Sequence, residues 1–199
     1  MNLGQIKKHV TISQGNRKVG NIPSVSLPPV ITCNPKAKCH KECYVLKSFR
    51  LYPSVRSAYQ KNLDTFNSDP ELYFKSISDW LSIRKPEYFR FHVSGDMPNK
   101  EYLFGMIDLA KKHPEVKFLA FTKRYEFNRY FTDLPTNLSI IISAWPGMRL
   151  PATKLPIAFM QDGTEKRIKN AIPCPGNCES CGMCWSLKTL NKNVVFKKH

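Results

Sequence analysis

Seven cysteines fall in two tight groups, Cys33, Cys39 and Cys43 early in the chain and Cys174, Cys178, Cys181 and Cys184 near its end. Thiolates this close in sequence lie on loops that let their sulfurs converge, so they are natural ligands for zinc or an iron–sulfur cluster. Four ligands close a metal site, whereas three leave a position for water, substrate or a cofactor. The first group therefore reads as an open, reactive site. The second reads as a closed one holding a second cluster or zinc, and spacing does not choose between those metals. Disulfides are the alternative, but they need an oxidising compartment, and an odd count leaves one thiol over. The opening residues, MNLGQIKKHVTISQGNRKVG, have no apolar run behind their basic residues, so no secretory signal is expected. No stretch is apolar over the length needed to cross a bilayer.

Charge points to a partner. The 199 residues carry 31 Lys and Arg against 15 Asp and Glu, a formal net charge of +16, which favours a polyanion, with nucleic acid the commonest. DNA and RNA stay equally open, and general solubility is the plainer explanation. Lys36, Lys38 and Lys41 beside the first cysteines, with Lys123 and Arg124, are the candidates for phosphate contacts, although loop lysines are also explained by solvation alone. A 42% hydrophobic content is that of a globular chain with one core.

The elements that must position these residues follow from patterning. Gly20 to Thr32 reads as a bent strand, broken by Pro23, Pro28 and Pro29, that delivers Cys33. Tyr44 to Arg56 reads as a helix interrupted near Pro53. Asp69 and Pro70 start another, with Leu72, Tyr73, Ile77, Trp80 and Leu81 at helical spacing. Tyr88 to Val93 is a strand, Ser94 to Pro98 a loop, and Lys100 to Lys112 a helix. Phe118 to Phe121 is a strand, Glu126 to Phe131 a short helix, and Leu138 to Ser143 a strand. This alternation implies βαβ units, hence an α/β fold with a partial parallel (β/α) barrel of about four βα units. The expected organisation is a basic arm over 1–19, the partial barrel over 20–150 and a cysteine-rich extension over 151–199.

Ligands of parallel sheets bind at the carboxyl ends of strands. The loops after Thr32, Val93, Phe121 and Ser143 should therefore share one face, collecting the first cysteines, Tyr44, Ser94–Gly95–Asp96, Lys123–Arg124 and Ser143. Gly95 would permit close backbone approach to a ligand. Asp96 offers a catalytic carboxylate, or equally a helix-capping one. His92 reads as a core histidine.

The runs GNIPSVSLPPVITC, FRFHVSGDMP, FLAFTKRYE, SAWPG and CPGNCESCGMCW together resemble the phage "gene product 88" domain family, from about Gly20 to the end. That resemblance implies a phage or mobile-element protein working in the bacterial cytoplasm, with no settled activity. More distantly, the chain is similar to radical S-adenosylmethionine enzymes. The resemblance implies a [4Fe–4S] cluster on Cys33, Cys39 and Cys43, with one iron open to S-adenosylmethionine, and an electron donor as partner. It places Ser94, Gly95 and Asp96 around the methionine amino group and makes Tyr44 and Ser143 further cofactor contacts. The first cysteines here are separated by five and then three residues, where those enzymes have three and then two. Two other readings stay open. One is a zinc-binding, nucleic-acid-binding protein of host takeover. The other resembles the transglycosylases that exchange modified guanines, with Asp96 as nucleophile and Glu126 or Asp133 as the second carboxylate.

Overall fold

A computed structural model describes residues 1–161, 168 and 170–197. Eight strands form one sheet: β1 (Ile12–Ser13), β2 (Ser24–Val25), β3 (Tyr88–Phe91), β4 (Lys117–Thr122), β5 (Leu138–Ala144), β6 (Ile157–Gln161), β7 (Ala171–Pro173) and β8 (Asn193–Lys197). Their spatial order is β1-β2-β3-β4-β5-β6-β8-β7. Only β1 runs antiparallel to its neighbour, and every other pairing is parallel. The expected α/β class and parallel sheet are present, and the described residues show no closed barrel. Among the described residues β1 and β7 are the two ends of the order, with no pairing between them.

The segment after residue 150 does more than append cysteines. Its strands β6, β8 and β7 continue the sheet, with Ala158 opposite Val194 and Ile172 opposite Val194. Short strands split by a cysteine-dense stretch carry little alternation, which is why the sequence shows only the longer central ones. β2 is likewise two residues where a longer bent strand was expected, because Pro28 and Pro29 remove ladder donors and turn the chain towards Cys33.

Two layers cover the sheet. On one face pack α1 (Leu3–His9), α2 (Val45–Leu51), α3 (Pro53–Ser68), α4 (Pro70–Arg84) and α5 (Lys100–Lys112). Side chains alternate across a strand, so Phe89, Phe91, Phe118, Ala120, Ile140 and Ile142 meet the helices in the main core. Pro53 begins α3 rather than kinking a longer helix, since a proline is tolerated at the first helical position. Asp69 caps α4 by accepting from the Leu72 amide, and Asn99 caps α5 through the Tyr102 amide.

The first residues are not a free arm. Asn2 and Gln5 form a capping box on α1, and Ile6 and Val10 are buried against α3 and α4. Fully buried Asn62 on α3 accepts from the Thr11 amide and donates to the carbonyls of Thr11 and Ser26, fixing this segment beside β2.

The opposite face of the sheet is smaller. Leu119, Ile141, Ala158, Leu187 and Val194 are buried there under the C-terminal cysteine segment, with α6 (Cys178–Cys181) and α7 (Leu187–Leu190). Trp185 donates its indole N–H to the Lys117 carbonyl and packs edge-on against Tyr88.

Candidate functional site

A chamber of about 300 Å³ opens at the carboxyl ends of β3, β4 and β5. Cys33, Cys39 and Cys43 line it, and so do Cys174, Cys178 and Cys184. The two groups thus face a common space, where the sequence suggested a separate C-terminal site. All seven cysteines are free thiols, so none is held in a disulfide. Among the described residues, no three His, Cys, Asp or Glu side chains meet as a donor set for one metal ion.

Local structure explains how each group arrives. The chain leaving β2 turns through Pro29 and Val30, and the Cys33 amide bonds the Val30 carbonyl. A 3-10 turn over Lys38–Glu42 then presents Cys39 and leads into Cys43. Buried Asn34 donates its amide to the Lys123 carbonyl at 2.7 Å and accepts from the Lys36 amide, pinning this loop to the end of β4. In the second group β7 delivers Cys174, whose amide bonds the Val195 carbonyl. Asn177 caps α6, and the Cys178 amide bonds the Lys18 carbonyl.

Burial dominates the chemistry of these thiols. It pushes Cys33 up to about 12, helped by the negative charge of Asp96, and Cys184 up to about 12, helped by Cys178 and Cys174. Burial raises Cys39 and Cys178 as well, against the pull of Lys123 on the first and of Arg90 on the second. Burial thus favours the protonated form of Cys33, Cys39, Cys178 and Cys184, and a metal binding them would release protons.

The turn after β3, where Asp96 was read as a catalytic or equally a capping carboxylate, is held by several hydrogen bonds. Asp96 is buried, with Oδ1 accepting from the Thr122 hydroxyl and the Met97 amide and Oδ2 from the Lys123 amide, each at 2.8 Å. Its own amide donates to Thr32 Oγ1, which donates to the Pro28 carbonyl. One carboxylate thus ties the cysteine loop, the β3 turn and the end of β4 together. Burial raises its pKa to about 6 against those hydrogen bonds. A carboxylate with both oxygens engaged is placed to hold the site's frame rather than to attack or to receive an amine. Gly95 is likewise required by protein contact. It has φ +77°, and a Cβ there would stand 2.6 Å from Thr32 Oγ1 and 2.8 Å from the Leu27 carbonyl oxygen.

Of the remaining candidates, Tyr44, Ser94, Lys123 and Ser143 line the chamber. The Tyr44 hydroxyl donates to the Val93 carbonyl, the Ser94 hydroxyl to the Leu27 carbonyl, and Ser143 gives its own carbonyl to the Tyr125 hydroxyl. Cys181 is not among the lining residues, nor are Lys36, Lys38 and Lys41, which are exposed on the loop outside. Arg124 is committed structurally, since its guanidinium donates to the Pro98 carbonyl and pairs with Glu126 at 2.8 Å. Glu126 is thereby occupied too, and Asp133 accepts from the Thr132 hydroxyl. Neither carboxylate lines the chamber beside Asp96.

Two residues escaped the sequence reading. Arg90, on β3, sends its guanidinium over the Phe121 ring at 5.1 Å and Nη1 to Cys178 Sγ at 3.8 Å. Lys18 reaches the same space from the segment before β2. An arginine inside the otherwise aromatic run YFRFH was the available signal, because a charged residue on the inner face of a strand needs a reason to be there.

The fold defines an α/β protein with a thiol-lined chamber at the carboxyl edge of a mostly parallel sheet. The chain belongs to the Gene product 88 family, a phage gene-product family whose model matches residues 2–147. It is also similar to the Gene 88 protein of Mycobacterium phage L5, at 26% identity over 94% of this chain and 91% of that protein. No solved structure is a significant match. Among the described residues, no helix is long and apolar enough to cross a membrane.

Proposed function

We propose that this protein carries an iron–sulfur centre in the chamber and acts on nucleic acid or its components in a phage or mobile-element setting. The observation that supports this reading best is the gathering of six thiols around one space at the carboxyl end of the sheet. The donors are soft sulfur, which selects iron–sulfur clusters, zinc or cuprous copper over hard cations. A single ion needs its donors to converge at about 2.3 Å from one point, whereas a cluster takes one thiolate at each of several irons. Thiols spread around a wall suit the second arrangement.

In this reading Cys33, Cys39 and Cys43 hold a [4Fe–4S] cluster with one iron open, and S-adenosylmethionine is the co-substrate for that position. The bound cluster would supply one-electron chemistry, and an external donor would supply the electron. Cys174, Cys178 and Cys184, with Cys181 beside them in sequence, would hold a second cluster or zinc. The chain's own contribution is positioning. Asn34 and the Thr32–Asp96–Thr122 network fix the first cysteine loop against β4, and Arg90 sets a positive charge beside Cys178.

The test is the electron paramagnetic resonance spectrum of the anaerobically reconstituted, dithionite-reduced protein with and without S-adenosylmethionine. The expected result is a cluster signal that shifts on addition and whose shift vanishes in Cys39→Ala. A signal indifferent to S-adenosylmethionine overturns the open-iron assignment. No signal in any preparation overturns the cluster.

A further inference from the structure

Five buried side-chain nitrogens lack a hydrogen-bond partner among the described residues: Arg90 Nε, both ring nitrogens of His92, His40 Nε2 and Arg124 Nε. Arg124 Nε still lies 2.8 Å from a Glu126 oxygen. Three of the five therefore belong to Arg90 and His92, two residues apart at the carboxyl end of β3, and both residues line the chamber, the His92 ring also packing 5.2 Å from the Tyr102 ring and 5.9 Å from that of Phe91. Buried polar atoms in folded proteins are almost always satisfied, by protein, by water or by a ligand. His92 is only 4% exposed, and its backbone takes the left-handed φ of +60°, an uncommon conformation for a non-glycine residue. A left-handed backbone carrying a ring with no hydrogen-bond partner at either nitrogen, at a cavity wall, is the kind of feature that clusters at binding sites.

The chamber's cations are held in an unusual way. Arg90 lies over Phe121 at 5.1 Å, and Lys123 Nζ over Trp145 at 5.7 Å. Neither makes an ion pair with a carboxylate among the described residues. A ring face orients a cation by its quadrupole without cancelling the charge, so both charges remain available to a ligand. Lys18 adds a third cation to the wall, 5.5 Å from the Tyr44 centroid and 6.0 Å from that of Phe196. The volume of about 300 Å³ is at the small end for ligand pockets and far too small for a duplex.

We propose that Arg90, His92 and Lys123 bind the phosphate of a mononucleotide-sized ligand inside the chamber. Arg90 supplies the planar fork that suits a phosphate, its Nε unpartnered and its Nη1 turned towards Cys178. His92 is neutral in the physiological range, since burial pushes it down to about 3, and it donates one ring N–H. This names the substrate class for the chamber discussed under Proposed function and rests on that reading only in placing the ligand beside the cysteines.

The experiment is isothermal titration of the full-length protein, purified without oxygen, with AMP, GMP, CMP and UMP. Adenosine, inorganic phosphate and a single-stranded 20-mer are titrated in parallel, and iron and sulfide are measured on each sample. Binding of at least one monophosphate is expected, with the nucleoside and phosphate alone much weaker. Arg90→Gln and Lys123→Gln should each weaken it by roughly tenfold or more, as for loss of a charge-assisted hydrogen bond. Lys123→Gln keeps the proposal testable if Arg90→Gln does not fold. Monophosphate binding to protein free of iron and sulfide would support this site while removing the cluster. No binding of any monophosphate, or binding unchanged in both variants, overturns the proposal. So does tight binding of the 20-mer that neither variant alters, because the polyanion would then lie on the outer basic surface. Loss of iron in Arg90→Gln with unaltered nucleotide affinity would assign Arg90 to the cysteines and also overturn it.

Discussion

Thr122 Oγ1 donates to Asp96 Oδ1 at 2.8 Å in a buried site, joining the end of β4 to the turn after β3. The same carboxylate takes the Met97 and Lys123 amides, so its removal strands three donors at once. Asp96→Ala should lower stability by about 3 kcal/mol, since each buried unsatisfied group costs roughly 1–3 kcal/mol and the site relaxes in part. Urea unfolding checks this. A loss under 1 kcal/mol would show that the carboxylate does not hold the frame.

Gly95→Ala should be nearly as costly. The new methyl would press on Thr32 Oγ1 and the Leu27 carbonyl, at a φ of +77° that side chains resist. A loss of about 2–4 kcal/mol is expected from strain and displacement together. Because the displaced residue is Thr32, which precedes Cys33, the variant should also lose the proposed cluster more readily in a chelator challenge. Metal retention equal to wild type would separate the β3 turn from the cysteine loop.

His92 sets a pH dependence. Burial holds its folded pKa near 3, below the unfolded value of 6.5, so the unfolded chain takes up the proton first as pH falls. Its stabilising contribution is full above pH 6.5 and is lost as pH drops towards 3. Asp96 works in the other sense. Its folded pKa of about 6 lies above the unfolded 3.8, so its contribution is full below 3.8 and is lost as pH rises through 6. His92→Asn accepts the left-handed backbone and removes one titration. Relative to that variant, wild-type stability should decline between pH 7 and pH 4.5 in urea titrations. A constant difference across that range would show that His92 is not held neutral.

Much of the central architecture was legible because it rests on long, periodic elements. Lys100–Lys112 and Leu138–Ser143 appear almost as their patterns require, and Asp69–Pro70 starts a helix because capping and proline geometry are local. The sharing of one face by the loops after β2, β3, β4 and β5 followed from parallel topology alone. What stayed hidden was settled by contacts distant in sequence. Asp96 read as either a catalytic or a capping carboxylate, and its partners Thr122 and Lys123 were hidden because they lie 26 and 27 residues away. Nothing local in Asn62 signals that it ties Thr11 to Ser26. The C-terminal cysteines looked like an appendage because the strands flanking them are only three to five residues long. The pairing of β6 with β8 brings those cysteines to the same chamber as the first group.

Open and closed sites should respond differently to cysteine loss. Cys39→Ala should abolish the cluster proposed for the first cysteine group and leave a folded chain. Cys178→Ala should lower thermal stability as well, because a closed metal site contributes directly to folding. Full metal content in both variants would contradict the assignment of either cysteine.

Iron and acid-labile sulfide per chain, measured on protein purified without oxygen, test the central claim most directly. The account predicts brown protein with about four irons and four sulfides for each cluster, halved or lost in Cys39→Ala. Colourless protein holding zinc alone, or no metal after anaerobic purification and reconstitution, would contradict it.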